Sequence, residues 1–181
     1  ALRARGIRLL MLSGDNAAAA QAMAKRVGLQ PEEVISEVLP GDKAAHIAEL
    51  KNGGNVVVMV GDGVNDAPAL AQADVGLAIG SGTDVAKETG DVILIKDDIR
   101  DVVVALEVAK ATMRKVKQNL FWAFFYNTLG IPLGAGLLYP FASLVISPEL
   151  AGLMMAVSSV SVTLNTLLLK GFTPSIGREH K

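Results

Sequence analysis

Charged residues are very unevenly distributed along this chain of 181 residues. Residues 120–169 contain one charged side chain, Glu149, whereas residues 1–119 contain 14 Lys and Arg and 16 Asp and Glu. Helices of soluble domains need a polar face, so such a long uncharged stretch is typical of a segment that lies in lipid. The sequence therefore predicts an aqueous region followed by a membrane region.

The overall composition excludes several classes of protein. The formal net charge of −1 gives no reason to expect a nucleic acid as partner. The absence of cysteine excludes disulfides, thiolate metal sites and cysteine nucleophiles. The amino terminus has neither an initiator Met nor an apolar signal core, so we expect no signal peptide and a start within a longer protein.

Short apolar segments alternate with helix-forming segments in residues 1–98. The predicted strands are residues 7–12, 34–35, 56–60, 75–79 and 92–95, and the predicted helices are 17–27, 42–51 and 66–73. Continuously apolar strands separated by helices are typical of an α/β fold with a parallel sheet covered on both faces. Ligands of such folds bind at the carboxyl ends of the strands.

Polar clusters follow the carboxyl ends of two of the predicted strands, where ligands of such folds bind. Ser13-Gly14-Asp15 follows the first strand and could hold a phosphate at a helix start, or could simply cap that helix. The segment Gly61-Asp62-Gly63-Val64-Asn65-Asp66 follows a buried strand. Its carboxylates suit Mg²⁺, although an ordinary turn also has this composition. Lys43, at a predicted helix start, is either a solvated charge or a partner for phosphate.

Together these segments resemble the haloacid dehalogenase-like phosphotransferase fold and, more narrowly, the phosphorylation domain of P-type ATPases. The motif GDGVNDAPAL is specific, and the resemblance continues through residues 71–86 and covers essentially the whole chain. It implies that Asp62, which lies between Gly61 and Gly63 in the sequence, binds Mg²⁺. Asn65 and Asp66 would complete this site, with Asp66 as a second Mg²⁺ ligand. It also implies that Ser13 and Gly14, beside Asp15, contact the transferred phosphoryl group while Lys43 neutralises its charge.

The chain departs from the family pattern in one decisive respect. It contains no DKTGT segment, which carries the phosphorylated Asp of the family, and no nucleotide-binding domain. The resemblance therefore implies a carboxyl-terminal fragment that is inactive alone. The remainder of the pump is its expected partner, and ATP and Mg²⁺ are the expected cofactors of the intact protein.

The second half of the chain predicts a membrane hairpin. We expect a cytoplasmic connecting helix at 99–119, spans at 120–139 and 149–169, an extracytoplasmic loop at 140–148 and a cytoplasmic tail at 170–181. Basic residues flank the outer ends of the two spans, which places both ends in the cytoplasm. This predicts a multi-pass protein in lipid contact, in the plasma membrane of a prokaryote. The alternative is a buried helical hairpin in a soluble protein.

Polar and thioether side chains occur within both predicted spans. Tyr126-Asn127 lies in the first, and Met155 to Ser159 in the second. Such groups commonly stabilise helix packing. Their combination resembles the copper(I)-transporting branch of the P-type ATPases, which implies that Tyr126, Asn127, Met155 and Ser159 line the site of the transported Cu⁺. Silver(I) is chemically similar, and the Cys-Pro-Cys helix of that branch is absent here.

The leading hypothesis is therefore a part of an ATP-driven copper(I) export pump, with a copper chaperone as a further expected partner. A second hypothesis is a membrane-tethered protein that binds metal or a partner without catalysis. A third is a membrane-anchored phosphatase with Asp15 as acceptor, although SGD is the wrong context for that role.

Overall fold

The computed structural model describes residues 1–62, 65–80, 90–96, 98–137, 139–142 and 147–175, and divides into two compact units, Ala1–Val103 and Val104–Lys181. The first unit alternates strands and helices. Its elements are β1 (Met11–Leu12), α1 (Ala17–Val27), β2 (Val34–Ile35), α2 (Pro40–Asn52), β3 (Val58–Gly61), α3 (Ala67–Gln72), β4 (Val75–Ile79) and β5 (Val92–Leu94), with 3₁₀ turns at Arg3–Arg5 and Pro31–Glu33.

All strand pairs of the first unit are parallel. β1 pairs with β2 in one sheet, and β3, β4 and β5 form a second sheet in that order. Val58 is aligned with Val75, and Leu77 with Val92. The predicted α/β architecture with parallel strands is therefore confirmed.

The first strand is shorter than predicted. Residues 7–12 form one apolar run, but only Met11 and Leu12 join a ladder. Their partner β2 is itself two residues long. Because a strand extends only as far as its hydrogen-bonded partner, the two residues of β2 limit the length of β1. Ile7 and Leu10 therefore lie outside the ladder and are partly exposed.

An apolar cluster joins α2, β3, α3 and β4 of the first unit. Its buried members include Ile47 of α2, Met59 of β3, Leu70 of α3 and Ala78 of β4. Leu12 of β1 packs against the same cluster, so both sheets lie on one core. This arrangement brings the carboxyl ends of β1 and β3 toward a common region of the unit.

The second unit is dominated by a helix of 34 residues, α4 (Asp101–Gly134), which begins in the last residues of the first unit. It has no break at the predicted boundary between residues 119 and 120, because backbone hydrogen bonds do not depend on side-chain polarity. The helix ends at Gly134, whereas the predicted span continued to residue 139. Pro132 lacks the N–H that continues a helix, and Gly136 has a left-handed φ of 85°.

A short helix α5 (Tyr139–Ala142) lies at the start of the predicted loop, and residues 143–146 fall outside the described part of the chain. Helix α6 (Pro148–Leu167) follows and ends in a 3₁₀ turn at Leu168–Gly171. Within the described residues, one helical stretch, Glu149–Gly171, is long and apolar enough to cross a bilayer, with a mean hydropathy of 1.6. The predicted first span does not meet the same criterion.

Side-chain hydrogen bonds join α4 to α6. Lys115 Nζ donates to Asn165 Oδ1 at 2.8 Å, and Asn165 Nδ2 donates to Asn119 Oδ1 at 2.7 Å. Asn119 Nδ2 donates to Thr166 Oγ1 at 2.8 Å. We call these four residues the amide network. It fixes the amino-terminal half of α4 against the carboxyl-terminal end of α6.

Candidate functional site

A short ion pair connects two helices at the ends of the strands. Lys43 lies in the first turn of α2, which begins at Pro40, and Asp66 directly precedes α3. Lys43 Nζ donates to Asp66 Oδ1 at 2.6 Å, and both side chains are only 15% exposed. A hydrogen bond between two charged groups that are this shielded is stronger than a surface ion pair. The structure thus brings together two of the predicted site residues, 23 positions apart in sequence.

The glycine that ends β3 makes room for Asp66. A Cβ atom added to Gly61 would lie 2.5 Å from Asp66 Oδ2 and 2.7 Å from Asp66 Cβ. Real side chains do not tolerate such distances, so only glycine allows Asp66 to fold back over the strand end. The sequence predicted Gly61 as part of the Mg²⁺-binding turn, but the motif alone did not reveal this contact with Asp66.

Asp62 and Asn65 lie in the same turn. Asp62 is exposed, and its Oδ1 accepts a hydrogen bond from the Asn65 backbone N–H at 3.3 Å. Asn65 is exposed as well. Gly63, which the sequence assigned to the same site, lies outside the described residues, as does Val64. The described part of the turn therefore presents one exposed carboxylate beside the Lys43–Asp66 pair.

The predicted phosphate-contacting segment forms a turn after β1. Ser13 Oγ donates to Asp15 Oδ2 at 3.0 Å and accepts from the Asp15 backbone N–H at 3.2 Å. The amino-terminal cap of α1 is Asn16, whose Oδ1 accepts from the Ala19 N–H at 2.9 Å. Capping is therefore supplied by Asn16, and neither Ser13 nor Asp15 is needed for it.

The same turn is anchored beside the start of α2. The Ser13 N–H donates to the Ile35 carbonyl at 2.9 Å, and the Val38 N–H donates to the Ser13 carbonyl at 3.0 Å. A Cβ atom on Gly14 would lie 3.3 Å from the Val38 carbonyl oxygen, so the backbone is closely packed there. Val38 is followed by Leu39, the residue that precedes α2. The turn and the helix carrying Lys43 therefore meet in one region.

The donor set fits Mg²⁺ better than a metal enclosed entirely by protein. Among the described residues, no group of three or more His, Asp or Glu side chains could hold a metal ion. Mg²⁺ is usually held by one or two carboxylates, with water and phosphate completing its octahedron. Asp62 Oδ1 accepts from the Asn65 backbone N–H, and Asp66 Oδ1 accepts from Lys43, so each carboxylate is held in place by the protein. These residues fit a magnesium ion that arrives with a phosphate.

A different charged contact marks the other end of β4. Asp74 precedes β4, and its Oδ2 accepts a hydrogen bond from the Val57 N–H at 2.8 Å. This bond, together with Lys51 at 3.2 Å, lowers the pKa of the Asp74 carboxyl. The groups lie at the amino ends of β3 and β4. They therefore stabilise the fold at the edge opposite the candidate site.

The two predicted copper-site residues of α4, Tyr126 and Asn127, contact residues of their own helix. Asn127 Nδ2 donates to the Ala123 carbonyl of its own helix at 2.8 Å, and Tyr126 packs against Trp122 with ring centroids 6.0 Å apart. On α6, Met155 is 74% exposed and Ser159 is exposed. In the described part of the chain, no hydrogen bond joins the pair on α4 to the pair on α6.

The chain is similar in sequence to several known proteins. A family model of haloacid dehalogenase-like hydrolases matches residues 1–74. The chain is 53% identical over 174 residues to PacS of Synechocystis sp., a probable copper-transporting ATPase, which covers 96% of this chain and 23% of that protein. It is 52% identical over 177 residues to a probable copper-exporting P-type ATPase of Archaeoglobus fulgidus, covering 98% and 22%. It is also 52% identical over 170 residues to a silver exporting P-type ATPase of Salmonella typhimurium, covering 94% and 20%.

A solved structure shows the same arrangement of elements. The crystal structure of a zinc-transporting PIB-type ATPase in its E2.Pi state matches 93% of this chain and 26% of its own, with 38% identity and a TM-score of 0.76. The chain thus spans roughly a quarter or less of the relatives that it matches. It belongs to the P-type ATPase family, and its first unit carries part of the haloacid dehalogenase-like domain of such a protein.

Proposed function

We propose that this chain is the part of an ATP-driven copper(I) export pump that supplies magnesium- and phosphate-site residues and part of the membrane ion site. The observation that carries the proposal is the shielded Lys43–Asp66 pair, which folds over Gly61 beside the exposed Asp62. This arrangement occurs in a chain that is 52–53% identical to relatives named as copper transporters.

The proposed roles follow from the demands of phosphoryl transfer, which relies mainly on positioning and electrostatics. Lys43 neutralises charge on the phosphoryl group, and Asp66 holds the Lys43 ammonium in place at 2.6 Å. Asp62 contributes an oxygen to Mg²⁺, with Gly61, Gly63 and Asn65 shaping that turn. Asp66, whose Oδ1 accepts from Lys43, is the second proposed Mg²⁺ ligand.

The turn after β1 would contact the transferred group. Ser13 Oγ and the backbone at Gly14 are the proposed contacts, and the Asp15 carboxylate orients the hydroxyl at 3.0 Å. Bound Mg²⁺ would offset negative charge on the phosphates. The nucleotide and the Asp that accepts phosphate would come from parts of the pump that lie outside these 181 residues.

The second unit would form part of the copper path. We place α6 and the apolar half of α4 in the plasma membrane of a prokaryote, with the first unit in the cytoplasm and α5 near the outer surface. Tyr126, Asn127, Met155 and Ser159 are the proposed ion-site residues. A thioether is a soft ligand that suits Cu(I) and Ag(I) better than Zn²⁺. Because Met155 is 74% exposed, its thioether can form an ion site together with ligands from other helices of the pump. A copper chaperone would deliver the ion.

The principal test uses the gene of the complete pump in a bacterial host that lacks its own copper exporter. Lys43→Met and Asp62→Asn should abolish Cu(I)-dependent ATP hydrolysis, because each removes a charge from the phosphoryl-transfer site. Met155→Leu should abolish copper dependence, whereas Met154→Leu, its matched neighbour, should retain it. Full ATPase activity of Lys43→Met, or equal effects of the two methionine changes, would refute the proposed roles.

The continuous helix α4 is the proposed connection between ATP hydrolysis and ion movement. Val108 lies in its interior, and proline there would remove one backbone hydrogen bond and kink the helix. In the complete pump, Val108→Pro should preserve ATP hydrolysis while reducing the copper moved per ATP. An unchanged ratio of transport to hydrolysis would contradict this coupling.

A further inference from the structure

We propose that the second unit contains a binding site for the phosphate headgroup of an anionic membrane lipid. The site is a cleft of about 500 Å³ between the amino-terminal half of α4 and the turn that follows α6. This inference rests on the proposed membrane placement of α6, but not on copper as the transported ion or on the phosphoryl-transfer site.

Three cations line one wall of the cleft. Lys110 and Arg114 are one helical turn apart on α4, and Lys115 lies beside them. Lys110 and Arg114 are exposed, and in the described part of the chain neither forms an ion pair with a carboxylate. Lys115 is already held by Asn165 at 2.8 Å. Two cationic groups are therefore available to an anion.

One acidic side chain also lines the cleft, and it is engaged by the protein. Glu107 Oε2 accepts a hydrogen bond from the Ser175 backbone N–H at 2.7 Å, and Glu107 Oε1 accepts from Ser175 Oγ. These bonds fix the segment after α6 against α4 and direct the carboxylate oxygens toward Ser175. The balance of charge in the cleft is positive, which favours an anionic ligand.

The opposite wall is apolar. Leu168, Leu169 and Phe172 line it, and Leu168 is 69% exposed while Phe172 is 38% exposed. They lie at the end of Glu149–Gly171, the stretch that is long and apolar enough to cross a bilayer. A free phosphate would gain nothing from these side chains, whereas a lipid can place its acyl chains on them and its headgroup on the cations. Basic clefts at this level between membrane helices are suited to anionic headgroups.

The amide network keeps the cleft formed without a ligand. Asn119 donates to Thr166, and Asn165 bridges Lys115 and Asn119, so the two helices are joined next to the cleft. A preformed site loses less conformational freedom on binding than one that must assemble. The site therefore requires no rearrangement of α4 relative to the end of α6.

The test uses the full chain in neutral detergent micelles, with dansyl-labelled phosphatidylglycerol as the probe. Trp122, the single tryptophan, lies two turns along α4 from Arg114 and serves as the energy-transfer donor. A cation that contacts the anionic headgroup contributes about fivefold to the affinity for the lipid. Arg114→Gln should therefore weaken binding about fivefold, and the double change Lys110→Gln/Arg114→Gln about 25-fold.

Lys117→Gln is the matched control, because Lys117 is an exposed cation of the same helix that does not line the cleft. It should change the affinity less than twofold. Equal losses for Arg114→Gln and Lys117→Gln would mean diffuse charge attraction and overturn the site. Equal binding of dansyl-phosphatidylcholine would also overturn it. Displacement of the lipid by millimolar inorganic phosphate alone would identify a free-phosphate site instead.

Failure of the membrane placement can be recognised separately. If alkaline carbonate releases the chain from membranes of expressing cells, the proposed membrane role fails and the lipid site fails with it. If the chain is retained but shows no preference for phosphatidylglycerol, only the lipid site is overturned. Retention of the chain in the membranes, together with about 25-fold weaker phosphatidylglycerol binding by Lys110→Gln/Arg114→Gln, supports the site.

Discussion

The contact between Gly61 and Asp66 gives the sharpest prediction. Gly61→Ala would place a Cβ atom 2.5 Å from Asp66 Oδ2 and 2.7 Å from Asp66 Cβ. Rotation of the Asp66 side chain could move Oδ2, but it could not move Cβ, whose position follows from the backbone before α3. Either β3 or the start of α3 must therefore shift.

The expected loss of stability in Gly61→Ala has two parts. Overpacking of this kind destabilises by about 1–3 kcal/mol. The shift also misaligns the bond between Lys43 Nζ and Asp66 Oδ1, and a hydrogen bond between charged groups contributes about 1.5–3 kcal/mol. Because the ion pair can follow part of the movement, we expect a total of about 2–4 kcal/mol, or roughly 30- to 1000-fold in an opening equilibrium.

Hydrogen exchange measured by mass spectrometry is the appropriate assay, because it reports the opening free energy of each segment. Amides of β3 and α3 should lose protection in Gly61→Ala, while those of α4 and α6 should not change. Gly41→Ala is the control: it lies in α2 with open space around its added Cβ, and should gain about 0.5–1 kcal/mol from helix propensity. Unchanged protection of β3 and α3 in Gly61→Ala would refute the steric argument.

Further predictions concern contacts away from this glycine. Asn165→Ala should destabilise the packing of α4 on α6 by about 1–2 kcal/mol in hydrogen exchange, because its partners on α4 lose their bonds. Asn127→Ala should have almost no effect there, because its amide bonds only within α4. Asn16→Ala should lower protection in α1 by about 1 kcal/mol through loss of the cap, and normal protection would contradict the capping role. Hydrogen bonds and charge from Arg100 lower the pKa of Asp98 to about 2, so the contribution of this contact is complete above the unfolded pKa and is lost as the pH falls through about 2. A carboxyl titration by NMR should show this value rising toward 3.8 in Arg100→Ala.

The alternation of strands and helices could be predicted because apolar runs and helix-terminating residues are local signals. Gly28 ends α1 in the left-handed region, and Pro68 lies in the first turn of α3, positions where glycine and proline are common. The length of β1 could not be predicted from its own apolar run, because it depends on which strand that run pairs with. Hydropathy alone does not identify the partner strand.

The site was predicted as a set of residues but not as a set of contacts. The motif assigned Lys43 to phosphate and Asp66 to Mg²⁺, whereas the structure joins them directly at 2.6 Å. That contact depends on the angle between α2 and α3, which no local pattern contains. The end of α4 at Gly134 does not follow from hydropathy, because the apolar run continues to Tyr139, whereas Pro132 and the left-handed Gly136 are what end the helix.

The continuity of α4 has a mechanical consequence. At 1.5 Å per residue, its 34 residues form a rod about 50 Å long. A tilt of about 5° at one end of a rod of this length displaces the other end by about 4 Å, somewhat less than the ~5.4 Å rise of one helical turn. Small rotations near Asp101 would thus be amplified into ångström-scale movement near Gly134, with no need for bending along the way.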